Sequence, residues 1–267
     1  MDSTASRGLQ QQPVLAPLSF GQQAIYYMNQ IEREKPVYNS PSGLFFEGSL
    51  DKHALEKAVN QLVERYESLR TRFIVVNDQP MQEVLPFEYR SIPMQDLELP
   101  EGAALKEALS DWYAVNGARH HLDQSPPLKF TLLRISSSEH VLVMDIHHIL
   151  TDESANRIFV QDLAALYRAA ALNEDHNLPP VAIPYHEYAL DEQSHPERWQ
   201  PLLDRWKKTY TPPPDLELPL DYPRPSNIHH FGADHIEVLD QQLAKDLQQL
   251  TEKAGCTTFM SMAAILQ

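Results

Sequence analysis

The run Val141-Leu142-Val143-Met144-Asp145-Ile146 reads as a buried strand, and a helical pattern follows it closely. Between the two lies His147-His148-Ile149-Leu150-Thr151-Asp152-Glu153. A side chain at a strand-to-helix junction is held by backbone on one side and open to a cleft on the other. That suits a group handling one proton near neutral pH, because imidazole titrates close to 7. Asp152 is placed to orient the loop or to cap the helix.

The rest of the chain supplies a mixed α/β pattern around this junction. Ser19-Phe20-Gly21-Gln22 has capping-box spacing, and a helix is predicted from there to about Glu34, followed by a loop over Pro36–Pro41. Leu44–Glu47 reads as a strand, and Asp51 caps a helix whose apolar face is Leu55, Ala58, Val59, Leu62, Val63 and Tyr66. Thr71–Val76 and Met81–Leu85 read as strands joined by the turn at Asn77-Asp78-Gln79-Pro80. A helix is expected over 103–118, and Leu128–Ile135 pairs with Val141–Ile146 around Ser136–Ser138. Val160, Leu163, Ala164 and Tyr167 mark one face of the helix after the histidines. The proline-rich stretch Asn173–Pro184 is the expected subdomain boundary. Beyond it the pattern gives short helices near Tyr185–Leu190 and Arg198–Tyr210, and an extended passage over Pro212–Pro225. A strand near His235–Leu239 and a helix over Gln241–Ala254 come next. The chain runs out in an apolar helical pattern with Met262, Ile265 and Leu266, which reads as a domain cut mid-way. Short turns between strands imply a largely antiparallel sheet.

Composition narrows the function classes. With 37 acidic against 22 basic residues the formal charge is -15, which argues against a nucleic-acid surface. A single cysteine, Cys256, rules out an internal disulfide framework and fits a reducing cytoplasm; the residue reads as a small apolar side chain near a helix start. The first residues lack the apolar core of a signal peptide, and no stretch approaches the roughly 20 apolar residues of a membrane span.

An ordered series of motifs resembles the condensation domains of nonribosomal peptide synthetases, within the HHxxxDG acyltransferases of chloramphenicol-acetyltransferase-like fold. Ser19-Phe20-Gly21-Gln22-Gln23 through Met28 is similar to the first motif, without its usual arginine. Tyr38-Asn39 and Gly48-Ser49-Leu50-Asp51 follow, and Arg65 to Phe73 resembles RHExLRTxF with Tyr66 in place of histidine. His147 to Asp152 matches the signature, Tyr185-His186-Glu187-Tyr188-Ala189 resembles YxDYA, and Leu220 to Pro225 resembles LPxDxPRP. Where the family has glycine, this chain has Glu153. Either Glu153 takes ordinary helical geometry, or it projects a carboxylate towards the reaction tunnel.

The resemblance implies a leader over 1–16, an N-terminal lobe over 17–178, and a crossing segment with the opening of a C-terminal lobe over 179–267, the remainder of that lobe being absent. It implies an amide-forming acyltransferase acting between a donor and an acceptor carrier protein, with substrates on phosphopantetheine arms and no intrinsic cofactor. His148 would be the catalytic residue, facing the reacting amine. His147 would be a packed or hydrogen-bonded ring and Asp152 a structural carboxylate paired with arginine; Arg70, flanked by Leu69 and Phe73 on a core-seeking pattern, reads as a buried cation. The 267-residue chain alone is expected to be inactive. Alternatives are an ester-forming or chain-releasing acyltransferase, and a non-catalytic platform that recruits a partner. The pairs His120-His121 and His229-His230 lack metal-ligand spacing. Tyr185, Tyr188 and Trp206 read as packing residues, and Arg65 and Arg72 as partners for acidic side chains.

Overall fold

The computed structural model describes residues 12–31, 36–99, 104–210, 219–223 and 235–266. They fall into two compact units, Met1–Leu216 and Glu217–Gln267. The first contains β1 (Val14–Pro17), α1 (Phe20–Ile31), β2 (Asn39–Glu47), α2 (Lys52–Arg65), β3 (Thr71–Val76), β4 (Gln79–Val84) and β5 (Met94–Asp96). It continues with α3 (Leu105–Asn116), β6 (Leu128–Arg134), β7 (Glu139–His147), α4 (Glu153–Leu172), α5 (Tyr185–Ser194) and α6 (Gln200–Thr209). The second contains α7 (Gln241–Lys253) and α8 (Thr258–Leu266).

Two sheets organise the first unit, one ordered β1-β4-β3 and one ordered β2-β7-β6-β5. All pairings are antiparallel except β5 with β6. Strand β7 decides the layering, because both of its faces are covered. Leu142, Met144 and Ile146 join Leu55 and Leu62 of α2 and Phe159, Leu163 and Leu166 of α4 in the main core. Val141 and Val143 pack on the opposite face with Leu105, Leu109 and Trp112 of α3. The two-residue period of a strand then sends Asp145 and His147 to the α3 side.

Local chemistry sets the element ends. The Ser19 amide donates to Gln22 Oε1 (3.0 Å) while the Gln22 amide donates to Ser19 Oγ (3.2 Å), so the capping box forms at the start of α1. Asp51 Oδ1 accepts from the Ala54 amide (3.0 Å) at the start of α2. Asn77 and Asp78, at φ 50° and 62°, make the β3–β4 turn a two-residue one, so Gln79 and Pro80 already lie in β4.

Several expectations change. Residues 14–16, read as the end of the leader, form a strand with Pro17: it pairs with β4, with Val14 opposite Val84. Strand β2 begins at Asn39, inside the expected loop, and tolerates Pro41 because it is an edge strand. Residues 185–194, expected in the crossing segment, are tied to the first lobe. The Phe20 amide donates to Glu192 (2.7 Å), Ser19 Oγ meets Tyr185 OH (2.9 Å), and Gln193 donates to the Leu18 carbonyl (2.9 Å). In the second unit, residues 235–239 have no strand partner among the described residues, and His235 contacts Glu237 instead (2.9 Å). Cys256 is exposed rather than packed. The residues around His229-His230, most of the Pro212–Pro225 passage, and the predicted end of the first helix lie outside the described residues.

Candidate active site

Backbone hydrogen bonds pin the turn that follows β7. The His147 amide donates to the Pro127 carbonyl (3.0 Å), the His148 amide to the Tyr38 carbonyl (2.7 Å), and the Leu150 amide to the His147 carbonyl (2.9 Å). Asp152 closes the turn by capping α4, its Oδ1 accepting from the Ala155 amide at 2.7 Å. Adjacent residues therefore diverge: His147 is 1% exposed, whereas His148 faces outward into a cavity of about 700 Å³.

The hydrogen bonds distinguish the two rings. His148 Nδ1 lies 3.1 Å from the Thr151 carbonyl. A carbonyl only accepts, so Nδ1 carries the proton and a neutral ring keeps its lone pair on Nε2. His147 has the reverse arrangement, with Nδ1 accepting from the Ile149 amide (3.1 Å) and Nε2 3.3 Å from the Asn29 side-chain amide. Burial, followed by the neighbouring imidazoles of His120 and His148, pulls the His147 pKa down to about 3. At neutral pH His147 is an uncharged ring that fixes the turn.

Behind His147 lies a buried polar network that the sequence reading missed. Asp145 accepts from the Ala118 amide (2.7 Å) and Tyr113 OH (3.0 Å), and its Oδ1 lies 3.3 Å from His120 Nε2. Asn39 donates to Tyr113 OH (3.1 Å) and to the Ala118 carbonyl (2.8 Å). Burial raises the Asp145 pKa, but the bonds from His120, Ala118 and Tyr113 outweigh it and hold the group below the ordinary carboxylate range. Tyr113 is pushed up to about 12, mainly by burial. The His120 ring meets His147 edge-on, 6.4 Å between centroids. One signal was available in the sequence: a carboxylate inside an apolar strand needs partners.

Glu153 is exposed, takes the first helical position of α4 and is absent from the residues lining the cavity. It has no positive φ, so ordinary helical geometry replaces the glycine. Arg70 is largely buried, its side chain 16% exposed, and donates to Glu67 (3.1 Å) and to the Leu85 carbonyl. Asp152 has no arginine partner among the described residues: its carboxylate caps the helix, and Glu67 holds Arg70. Arg65 and Tyr66 both donate to Asp162 (2.9 and 2.7 Å), tying α2 to α4, and Arg72 pairs with Glu83 (2.5 Å). Tyr188 bonds Glu192 (2.9 Å), and Trp206, 60% exposed, stacks on Tyr210 rather than entering a core. His121 is exposed while His120 is turned inward, and no group of three or more His, Cys, Asp or Glu among the described residues is placed to hold a metal.

A two-sheet α/β unit with this imidazole pair at the end of a central strand defines a class, and comparison with known proteins names it. The profile of the Condensation domain matches residues 13–267, and the chain belongs to that family. It is 33% identical over 256 residues to surfactin synthase subunit 2 of Bacillus subtilis (strain 168), covering 93% of this chain and 7% of that protein. It is 31% identical over 257 residues to tyrocidine synthase 2 of Brevibacillus parabrevis, again covering 93% of this chain and 7% of that protein. The chain thus spans under a tenth of the length of these relatives. Among solved structures, it resembles the X-domain from teicoplanin biosynthesis in complex with OxyB (25% identity, TM-score 0.73), covering 92% of this chain and 55% of that one. The first condensation domain of the calcium-dependent antibiotic synthetase, in complex with a substrate analogue, shares the fold at 20% identity and a TM-score of 0.64, covering 76% and 49%.

Proposed function

We propose that this chain carries the catalytic imidazole of an amide-forming condensation domain acting between carrier proteins in the cytoplasm. The observation that carries the reading is the His148 tautomer: Nδ1 is engaged by the Thr151 carbonyl, leaving Nε2 as an acceptor in the cavity. In the proposed reaction an acceptor amine attacks a donor thioester, the C–N bond forms, the C–S bond breaks and the pantetheine thiol leaves. An α-amine has a pKa of about 7.7–8, so an appreciable fraction is already neutral at physiological pH. His148 then has two tasks: to orient the amine, and to accept its proton as the tetrahedral intermediate develops. Holding two tethered arms end to end contributes up to roughly 7–11 kcal/mol, and acid–base help about 10²–10⁴-fold. The match covers only 49% and 55% of the solved chains it resembles, and we assign the remaining wall of the cavity to a second lobe of the domain.

The test uses the full-length synthetase with loaded carrier proteins. His148→Ala should lower turnover by about 10²–10⁴-fold without changing the melting temperature, and mass spectrometry should find an amide rather than an ester. Unchanged turnover would refute the catalytic role. A second reading, a platform that recruits a partner enzyme, is favoured by the similarity to the X-domain solved with OxyB. It predicts no His148-dependent product at all.

A further inference from the structure

We propose that the cavity at His148 selects an apolar acyl group. This rests on the condensation reading and names the substrate class of that same site. Three observations carry it.

The first is the wall. Ile25 of α1, Ala155, Ile158 and Phe159 of α4, and Val181 and Ile183 before α5 line the cavity. Ile158 is 42% exposed and Ile183 65%, so these side chains present hydrocarbon to an opening instead of to a core. The volume of about 700 Å³ is ample for a substrate of ordinary ligand size.

The second is how the polar lining is used. Arg65 and Tyr66 are committed to Asp162, Arg70 to Glu67 and Leu85, and Thr151 to Asn156. Glu67 Oε2 lies 2.7 Å from His186 Nδ1, and Tyr185 and Tyr188 are engaged by Ser19 and Glu192. A polar acyl chain that sought Arg65, Tyr66, Arg70, Thr151, Tyr185 or Tyr188 would have to break these bonds, which is unfavourable in a desolvated site.

The third is the charge at the mouth. Asp152 and Glu64, both exposed, line the cavity with carboxylates, so an anionic chain meets like charge. His148 Nε2 remains to meet the reacting centre, and the acyl tail is left to the hydrocarbon wall.

The experiment measures binding to the full-length protein by calorimetry. The probes are ketone analogues of acyl-pantetheine in which a methylene replaces the thioester sulfur. Across butanoyl, hexanoyl and octanoyl probes, affinity should rise about fourfold per added methylene. A glutaryl probe should bind at least about tenfold more weakly than hexanoyl. Ile158→Asp should weaken the octanoyl probe by about tenfold or more and leave pantetheine alone unchanged. Ile158→Ala is the milder second variant, with a loss of about fivefold for octanoyl. Equal affinity across the series, or preference for the glutaryl probe, overturns the proposal; if His148-dependent turnover persists in that case, the condensation reading stands. Chain-length-dependent binding without any turnover supports the apolar site and rejects the condensation reading.

Discussion

The two sides of the β7 terminus are built from similar side chains to opposite ends. On the α3 side, the buried carboxylate of Asp145 is met by Tyr113 and His120, Asn39 supports Tyr113, and buried His147 is held by Asn29 and the Ile149 amide. On the α4 side, one residue further along, His148 holds a single backbone contact and turns its other nitrogen to an open cavity. What separates the two histidines here is which nitrogen is engaged. A ring whose Nδ1 accepts an amide proton is locked neutral; a ring whose Nδ1 donates is left with a usable lone pair.

The largest expected effect breaks the closed side. Asp145→Ala removes the acceptor from the Ala118 amide, Tyr113 OH and His120 Nε2 at once. Stranding buried donors of this kind costs about 3–5 kcal/mol, readable as a shift of the urea midpoint at pH 7. A loss below about 1 kcal/mol would mean that the network is solvated and the contrast between the two sides is false.

A second prediction sharpens the contrast through pH. The folded pKa of His147 lies near 3, below an ordinary unfolded value of about 6.5. As pH falls from about 6.5, the unfolded chain binds a proton that the folded one refuses, so stability drops with a limiting slope of about 1.4 kcal/mol per unit. Asp145 is also held low, but its contribution disappears only below about pH 4. Denaturation at pH 6.5, 5.5 and 4.5 therefore reports His147. His147→Asn retains an oxygen for the Ile149 amide and should flatten that slope while lowering stability at pH 7. An identical slope in the variant would assign the loss to other groups.

How far the chain's own letters reach depends on the distance between partners. The Ser19–Gln22 capping box and the Asp51 and Asp152 caps are local, and residue type and spacing were enough to read them; the turn was placed at Asn77-Asp78 but read two residues too long, into Gln79 and Pro80 of β4. The same holds for the helix faces of Leu55–Leu62 and Leu163–Leu166, which share the main core with β7. Strands β1 and β5 escaped notice because four and three residues carry no period of their own and exist through pairing with β4 and β6. The Asp145 network was hidden for the same reason: Asn39, Tyr113 and His120 lie on three different segments and meet only after folding. The paired histidines were visible at their junction, but their opposite tautomers follow from contacts with Asn29, Ile149 and Thr151.

On the open side the expected effects are smaller. Tyr66→Phe removes one of the two donors to Asp162, with Arg65 remaining, and should cost about 0.5–1.5 kcal/mol. Thermal denaturation measures it, and no change would detach Tyr66 from the α2–α4 tie.

The smallest effect concerns Glu153, where the family resemblance expects glycine. Glycine would be needed if the chain turned left-handed there, but the residue already takes the first helical position of α4 and lies outside the cavity lining. Restoring the glycine gains no geometry. It gives up a favourable carboxylate near the helix N-terminus and adds backbone freedom in the unfolded chain, each worth under about 1 kcal/mol. Glu153→Gly should therefore lower stability slightly and leave turnover of the full-length enzyme within about twofold, since a difference of that size is under about 0.5 kcal/mol in barrier height. A tenfold rise in turnover would show that the carboxylate reaches the reacting groups, and would move Glu153 from the rim of the open side into its chemistry.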